Sequence, residues 1–224
     1  MKKGLFALIL LLLVAAGGFA QTTTSIGGGV LLDWSGNNGL EANFMGAKAY
    51  VGYRNLSFGG FIFFDATYVE ADVSFAYGMI TGVEEDLAVG SGMKDIFDDA
   101  SALQLCFSIM GKYPINMGSV TVFPLVGINY NYVLSLRDKD GKTIDEPGIK
   151  SSDFSQFGFL IGGGLDFSFS GNLFLRTEAL FQFRLASKIM DDMVDATNYF
   201  AGMKVFDTTW GMGPRFKLGF GYRF

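Results

Sequence analysis

The chain finishes on "PRFKLGFGYRF", in which Phe216, Leu218, Phe220, Tyr222 and Phe224 fall at every second position and the last residue is itself aromatic. Arg215, Lys217, Gly219, Gly221 and Arg223 fill the places between. Successive side chains of a β-strand point to opposite faces, so this segment presents one wholly apolar face and one of charge and glycine. Chain ends ordinarily fray and carry little apolar surface. A strand of this kind at the end of a chain needs partners for its backbone and an apolar surrounding for its outer face.

The same period of two recurs along the sequence. Ile26, Val30, Leu32 and Trp34 oppose Gly27, Gly29 and Asp33; Val69, Ala71, Val73, Phe75 and Tyr77 oppose Glu70, Asp72, Ser74 and Ala76. Leu103, Leu105, Phe107 and Ile109 alternate with Gln104, Cys106 and Ser108. Val122, Val126, Ile128 and Tyr130 lie opposite Thr121, Phe123, Gly127 and Asn129. Phe157, Phe159, Ile161, Leu165 and Phe167 oppose three glycines and Asp166, and Leu173, Leu175, Ala179 and Phe181 oppose Arg176, Glu178 and Gln182. The pattern predicts eight strands, at 22–34, 47–64, 67–80, 101–113, 119–137, 154–169, 172–187 and 209–224. The second has apolar residues on both faces, and an extra hairpin within 41–64 would make the count ten. Connections at 65–66, 114–118 and 170–171 are tight, with Asp65, Pro114, Asn116, Gly118 and Gly171 as turn residues. Those at 35–46, 81–100, 138–153 and 188–208 are long and mostly polar. Short turns at one end and long loops at the other describe an up-and-down meander.

The opening "MKKGLFALILLLLVAAGGFA" has a basic start, an apolar run from Leu5 to Val14, and small residues at Gly18 and Ala20. That is the layout of a secretory signal peptide spanning 1–20, cleaved before Gln21, and it leaves 21–224 as one domain. No other stretch reaches the length of a spanning helix. Yet half the residues are apolar, with 24 Phe and 31 Gly. The formal net charge of −5 argues against a nucleic-acid partner.

Two all-β barrels fit such a pattern. A soluble one has an apolar interior and a hydrated exterior, whereas a membrane barrel is apolar toward lipid and polar toward its lumen. Here the polar faces are rich in glycine and carry few charges, too few for a hydrated exterior. The apolar faces are therefore the outer ones. Trp34 and Trp210 are expected at one interface, where the first and last strands pair, and Phe167, Phe169, Tyr222 and Phe224 at the other. Outer-membrane lipids are the first partner this implies.

The terminal "FKLGFGYRF" resembles the C-terminal insertion signal of bacterial outer-membrane β-barrels, which ends in an aromatic and is read by the barrel-assembly machinery. With the signal peptide and the strand count, the chain resembles the small eight-stranded outer-membrane family of OmpX, OmpW and the OmpA membrane domain. The resemblance implies an antiparallel transmembrane barrel in the cell outer membrane, with Phe216, Leu218, Phe220, Tyr222 and Phe224 as the signal.

Chemistry is restricted by what the chain lacks. It contains no histidine and a single cysteine, Cys106. Ser/His/Asp and Cys/His devices are excluded, as is a histidine-based metal site, and the sequence calls for no cofactor. The "GGG" runs at 27–29 and 162–164 precede no helix and read as strand glycines that admit bulky neighbours. "DKDGK" (138–142) reads as a turn rather than a calcium loop, because the remaining ligand spacing does not match.

An eight-stranded barrel is just wide enough for side chains to fill it. Glu70, Asp72, Asp166 and Glu178 are expected inward against Lys112, Arg176, Arg184, Arg215, Lys217 and Arg223. Unpaired charges there cost several kcal/mol each, so a paired network is expected, with Glu178 meeting Lys217 or Arg215 and Asp166 meeting Arg176. Loops 81–100 and 188–208 are acidic, through Glu84, Glu85, Asp86, Asp191, Asp192 and Asp195 among others, and offer an extracellular ligand or partner a surface. The expected role is structural, surface-interaction or adhesion-type, and non-enzymatic. The alternative is an OmpW-like conduit for small hydrophobic molecules, which would need an apolar inward patch near the extracellular rim, hinted at by Leu31, Leu125 and Val133.

Overall fold

Strands with one apolar and one charged face are satisfied in a membrane only when each has a hydrogen-bonded neighbour on both sides. The computed structural model, which describes residues 23–44, 47–86, 99–144, 150–185, 187, 195 and 206–224, meets that condition. Its principal strands are β1 (Thr24–Phe44), β2 (Ala47–Ala66), β3 (Val69–Asp86), β4 (Ser101–Lys112), β6 (Val120–Arg137), β7 (Gln156–Ser170), β8 (Leu173–Arg184) and β10 (Gly211–Arg223). Each pairs antiparallel with its predecessor, and β1 pairs with β10 to close the ring. Two short strands supplement it: β5 (Ile115–Met117) on β6, and β9 (Phe206–Thr209) on the far half of β1. The fold is a closed eight-stranded antiparallel barrel.

Closure runs from Ser25 opposite Arg223 to Asp33 opposite Arg215 and on to Gly36 opposite Met212. The two intervening rungs are missing where Pro214, which has no N–H to donate, enters the ladder. Beyond β10, the Phe224 N–H donates to the Thr24 carbonyl at 2.9 Å. The terminal strand is thus hydrogen-bonded to its last residue.

The outer surface is apolar. Val30, Ile62, Phe75, Val126, Ile161 and Phe220 all point away from the lumen, with Ile62 65% and Val30 62% exposed. Interior positions hold the buried polar side chains. Such an exterior is stable against hydrocarbon and not against water, so the barrel is of the transmembrane kind.

Three expectations about boundaries need correction. Residues 35–46 are not a long loop: β1 continues to Phe44 and stays paired with β2 throughout. The turn-forming residues Gly36, Asn37 and Asn38 are absorbed as a register irregularity between Ser35 and Asn38. For the same reason no additional hairpin interrupts 41–64. Strand β3 likewise extends to Asp86, so Glu84, Glu85 and Asp86 stand opposite Gly52, Val51 and Tyr50 in a ladder rather than in a loop. The turn expected at 65–66 falls at Thr67–Tyr68, with Thr67 at φ 48°, and Asp65 belongs to β2. Other ends shift by one to three residues, and Phe154 lies in a 3-10 turn (Ser151–Phe154) instead of a strand. Residues 1–20, expected to be the signal peptide, lie outside the described residues.

The turn in "DKDGK" is built around its first aspartate. Asp138 Oδ1 accepts from the Asp140 and Lys142 N–H groups at 3.0 and 2.8 Å, and Gly141 takes φ 76°.

Candidate functional site

The functional candidate is the lumen, because strand parity delivers nearly all buried charge to it. Glu70 and Asp72 on β3, Arg176, Glu178 and Arg184 on β8, and Arg215 and Lys217 on β10 are all buried. Register makes some of them neighbours directly. Arg176 lies opposite Asp166 of β7, Lys217 opposite Glu178, and Arg215 opposite Asp33 of β1. Asp65 lies opposite Glu70, a like-charge pair that a sheet cannot tolerate unaided.

Arg176 resolves it. The guanidinium grips Asp166 with two hydrogen bonds of 2.7 Å, from Nε and Nη2, while Nη1 donates to Glu70 and Nη2 to Asp65, each at 2.7 Å. One fully buried arginine therefore ties together carboxylates from β2, β3 and β7. Lys112 of β4 donates to Asp65 as well, and Arg223 approaches Asp166 at 3.5 Å from the rim. Lys217 binds Asp72 at 2.7 Å and sits 3.1 Å from Glu178. Asp72 also accepts from the Ser108 hydroxyl at 3.2 Å.

A second, smaller network lies toward the end opposite the short turns. Asp33 receives Arg184 at 2.7 Å, Arg215 at 3.1 Å and the Gln182 amide. Arg184 also reaches the Ser35 hydroxyl at 3.3 Å, and Arg215 donates to the Cys106 sulfur at 3.4 Å. Taken together, the ten charged residues expected inward occur as two networks, and the structure adds Asp33, Asp65 and Gln182. Asp65, expected in the turn at 65–66, belongs to the inner face of β2; it follows "FIFF", where both faces are apolar and the parity of β2 is masked.

The interior is not purely polar. Phe63, Phe123 and Phe174 face inward, with ring centroids 4.3, 5.1 and 5.2 Å from the Arg176 guanidinium carbon. Cation–π attraction in a dry site adds to the ion pairs. Glycines make the space: a Cβ at Gly221 would lie 2.2 Å from the Phe174 ring, and one at Gly27 or Gly164 would lie 2.5 Å from Phe63 or Phe123. Within the two glycine runs, Gly27 and Gly164 make room for rings, while Gly29 and Gly162 lie close against the backbone of the neighbouring strand.

Two cavities lie toward the ends of the lumen. One of about 170 Å³ opens at the short-turn end beside Asp65, Lys112, Asp166 and Arg223. One of about 40 Å³ lies at the other end between Ile80, Ala102, Val133, Leu136, Phe154 and Arg184. Leu31 and Leu125 do not join Val133 there; the three belong to separate apolar clusters. Of the three, Val133 alone belongs to the inward apolar patch at this end, with Ala102, Leu136 and Phe154.

Trp34, midway along β1, and Trp210, just before β10, are both exposed and lie four positions apart in register; because β1 runs on to Phe44, Trp34 does not end the first strand as expected. Phe167 and Phe169 are exposed at the opposite rim, where Phe169 meets Phe220 edge-on at 6.3 Å and Tyr222 meets Phe224 at 5.2 Å. Phe216 and Leu218 continue the same outer face of β10. Of the acidic loops, 87–98 and most of 188–205 lie outside the described residues. Among the described residues, no group of three His, Cys, Asp or Glu side chains is placed to hold a metal ion.

No family model and no curated protein matches the sequence. Solved structures do. Neisserial surface protein A is 9% identical, with 90% of this chain and 97% of that one aligned at a TM-score of 0.44. A major outer membrane protein from Thermus thermophilus is 14% identical over 91% and 100%, at 0.45. Ail, the attachment invasion locus protein of Yersinia pestis, is 15% identical over 91% and 99%, at 0.36. The chain is similar in architecture to these small outer-membrane barrels.

Proposed function

We propose that this protein is an integral outer-membrane barrel that acts as a structural and surface-interaction protein, with a lumen closed by its own side chains. The observation that carries this reading is the Arg176 network, in which one guanidinium joins Asp65, Glu70 and Asp166 across the short-turn half of the lumen. Lys217 and Asp72 close the next layer, and Asp33 with Arg184 and Arg215 the one beyond. Breaking any of these pairs to admit a solute exposes a buried charge without its partner, which costs several kcal/mol. The apolar exterior supports residence in lipid, and the acidic segments at 81–100 and 188–208 supply the surface for a divalent cation or a basic partner. The chain has no histidine, so a histidine-based catalytic device is not open to it.

Planar bilayers test the reading. Pure protein should pass little or no ion current; reproducible large open-channel steps would overturn the closed lumen and favour a conduit.

A further inference from the structure

The cavity at the short-turn end differs in kind from the packed lumen behind it. Its volume of about 170 Å³ is many times the ~10–15 Å³ that one water needs. The charged part of its lining is Asp65 and Asp166 against Lys112 and Arg223; the rest is hydroxyl and amide side chains with one proline. Behind the lining, Arg176 is matched by Glu70, which it holds at 2.7 Å. The wall therefore offers both signs of charge in equal number.

Most of these groups are already spent on one another. Asp166 gives both oxygens to Arg176 at 2.7 Å, and Arg176 Nη2 also reaches Asp65 Oδ2 at 2.7 Å. Lys112 and the Ser25 hydroxyl donate to that same Oδ2. Two capacities are left over. Asp65 Oδ1 is buried and accepts no hydrogen bond. Arg223 lies over the Phe174 ring at 5.0 Å and donates only from Nη2, to Asp166 at 3.5 Å, so its Nε and Nη1 are unpaired among the described residues. The two capacities are neighbours, because the Asp166 oxygen that Arg223 reaches shares Arg176 Nη2 with Asp65.

A buried carboxylate oxygen without a donor forfeits its hydration with nothing in return. An ammonium supplies a charge-assisted donor, and a guanidinium with free N–H groups takes a carboxylate. We propose that this cavity binds a small α-amino acid, with its ammonium on Asp65 Oδ1 and its carboxylate on Arg223. A lone cation would face Lys112 and Arg223 across the same space, and a lone anion would face Asp65 and Asp166; a zwitterion meets each sign with its opposite. The Arg176 side chain, fully buried among Phe63, Phe123 and Phe174, closes the inner end. The site is a blind pocket loaded from the short-turn side, and it goes beyond the structural role proposed above without depending on it.

The test is equilibrium dialysis of radiolabelled alanine against protein refolded into lipid nanodiscs, which leave both ends of the barrel open to solution. Alanine at millimolar concentration should saturate at one molecule per barrel. Glycine should compete, whereas methylamine, acetate and glycerol, which carry the ammonium, the carboxylate or hydroxyls alone, should not. Asp65→Asn and Arg223→Gln should each weaken binding at least about tenfold, the worth of one hydrogen bond to a charged group. Lys139→Gln, exposed in the turn at the other end, should leave it unchanged. No saturable binding to the unmodified protein means a cavity filled by water and overturns the proposal without any variant having to fold. Competition by methylamine, acetate or glycerol as strong as that by glycine overturns it in favour of a cation, anion or polyol site. Unchanged affinity in Arg223→Gln, a substitution at the partly exposed rim, overturns it too.

Discussion

At the scale of single residues, the lumen shows how a buried arginine can make an unfavourable cross-strand pair tolerable. Asp65 and Glu70 stand directly opposite each other, and neither is excluded from the interior because Arg176 donates to both. The pair Glu178–Lys217 gives the sharpest energetic test. Glu178→Ala should destabilise the barrel by roughly 3–5 kcal/mol if it leaves Lys217 buried with reduced compensation. Replacing both partners, as Glu178→Ala with Lys217→Met, should cost less than the two single losses combined. A double-mutant cycle in urea, with protein refolded into vesicles, reads the difference; strictly additive losses would show no coupling across the 3.1 Å contact.

At the scale of elements, the last strand and the upper edge of β6 each depend on backbone hydrogen bonds completed from outside their own ladder. Phe224 is 69% exposed, and among the described residues its ring contact is with Tyr222. Its removal should therefore cost the refolded barrel little stability while reducing its assembly into the outer membrane, if the residue serves as a recognition signal. Surface labelling of the truncated protein on cells, beside its urea midpoint, separates the two effects; normal surface levels would sink the idea. Above Asn131, the last rung shared with β7, β6 relies on the short 3-10 segment. The Val133 and Leu136 N–H groups donate to the Ser155 and Ser151 hydroxyls, each at 3.1 Å. Replacing both serines with alanine should speed amide exchange at Val133 and Leu136 and leave Ile128, paired on both sides, unchanged. Equal protection in the variant would mean that water or another group closes that edge.

At the scale of the whole molecule, the barrel is turned inside out relative to a soluble one, and stability should respond accordingly. Val30 sits midway between Ile26 and Trp34 on the outer face of β1. Val30→Arg should cost about 2–4 kcal/mol in phospholipid vesicles, the penalty for a charge at the bilayer midplane. Urea unfolding measures it, and a loss below about 1 kcal/mol would place that position at an interface instead of in hydrocarbon.

Much of this architecture is legible in the residues because a period of two is a local property. Alternation alone separates the outer face of β10 from its inner face, and the scarcity of charge on the outer faces assigns them to lipid. The neighbours Glu178–Lys217 and Asp166–Arg176 follow from counting along adjacent strands. Boundaries were harder, since Gly36, Asn37 and Asn38 carry the chemistry of a turn yet are spent on a bulge once β1 and β2 remain paired around them. The contacts that cross the lumen lie beyond any local signal. Arg176 meets Asp65 and Glu70 over sequence separations of 111 and 106, Lys217 meets Asp72, and Arg184 meets Asp33, all between strands that are not hydrogen-bonded to one another. Which side chains meet there depends on the tilt and shear of the closed sheet and on how far Phe63, Phe123 and Phe174 fill it. Sequence determined which groups enter the lumen; closure of the barrel decided their partners, because only the closed sheet sets the distances across it.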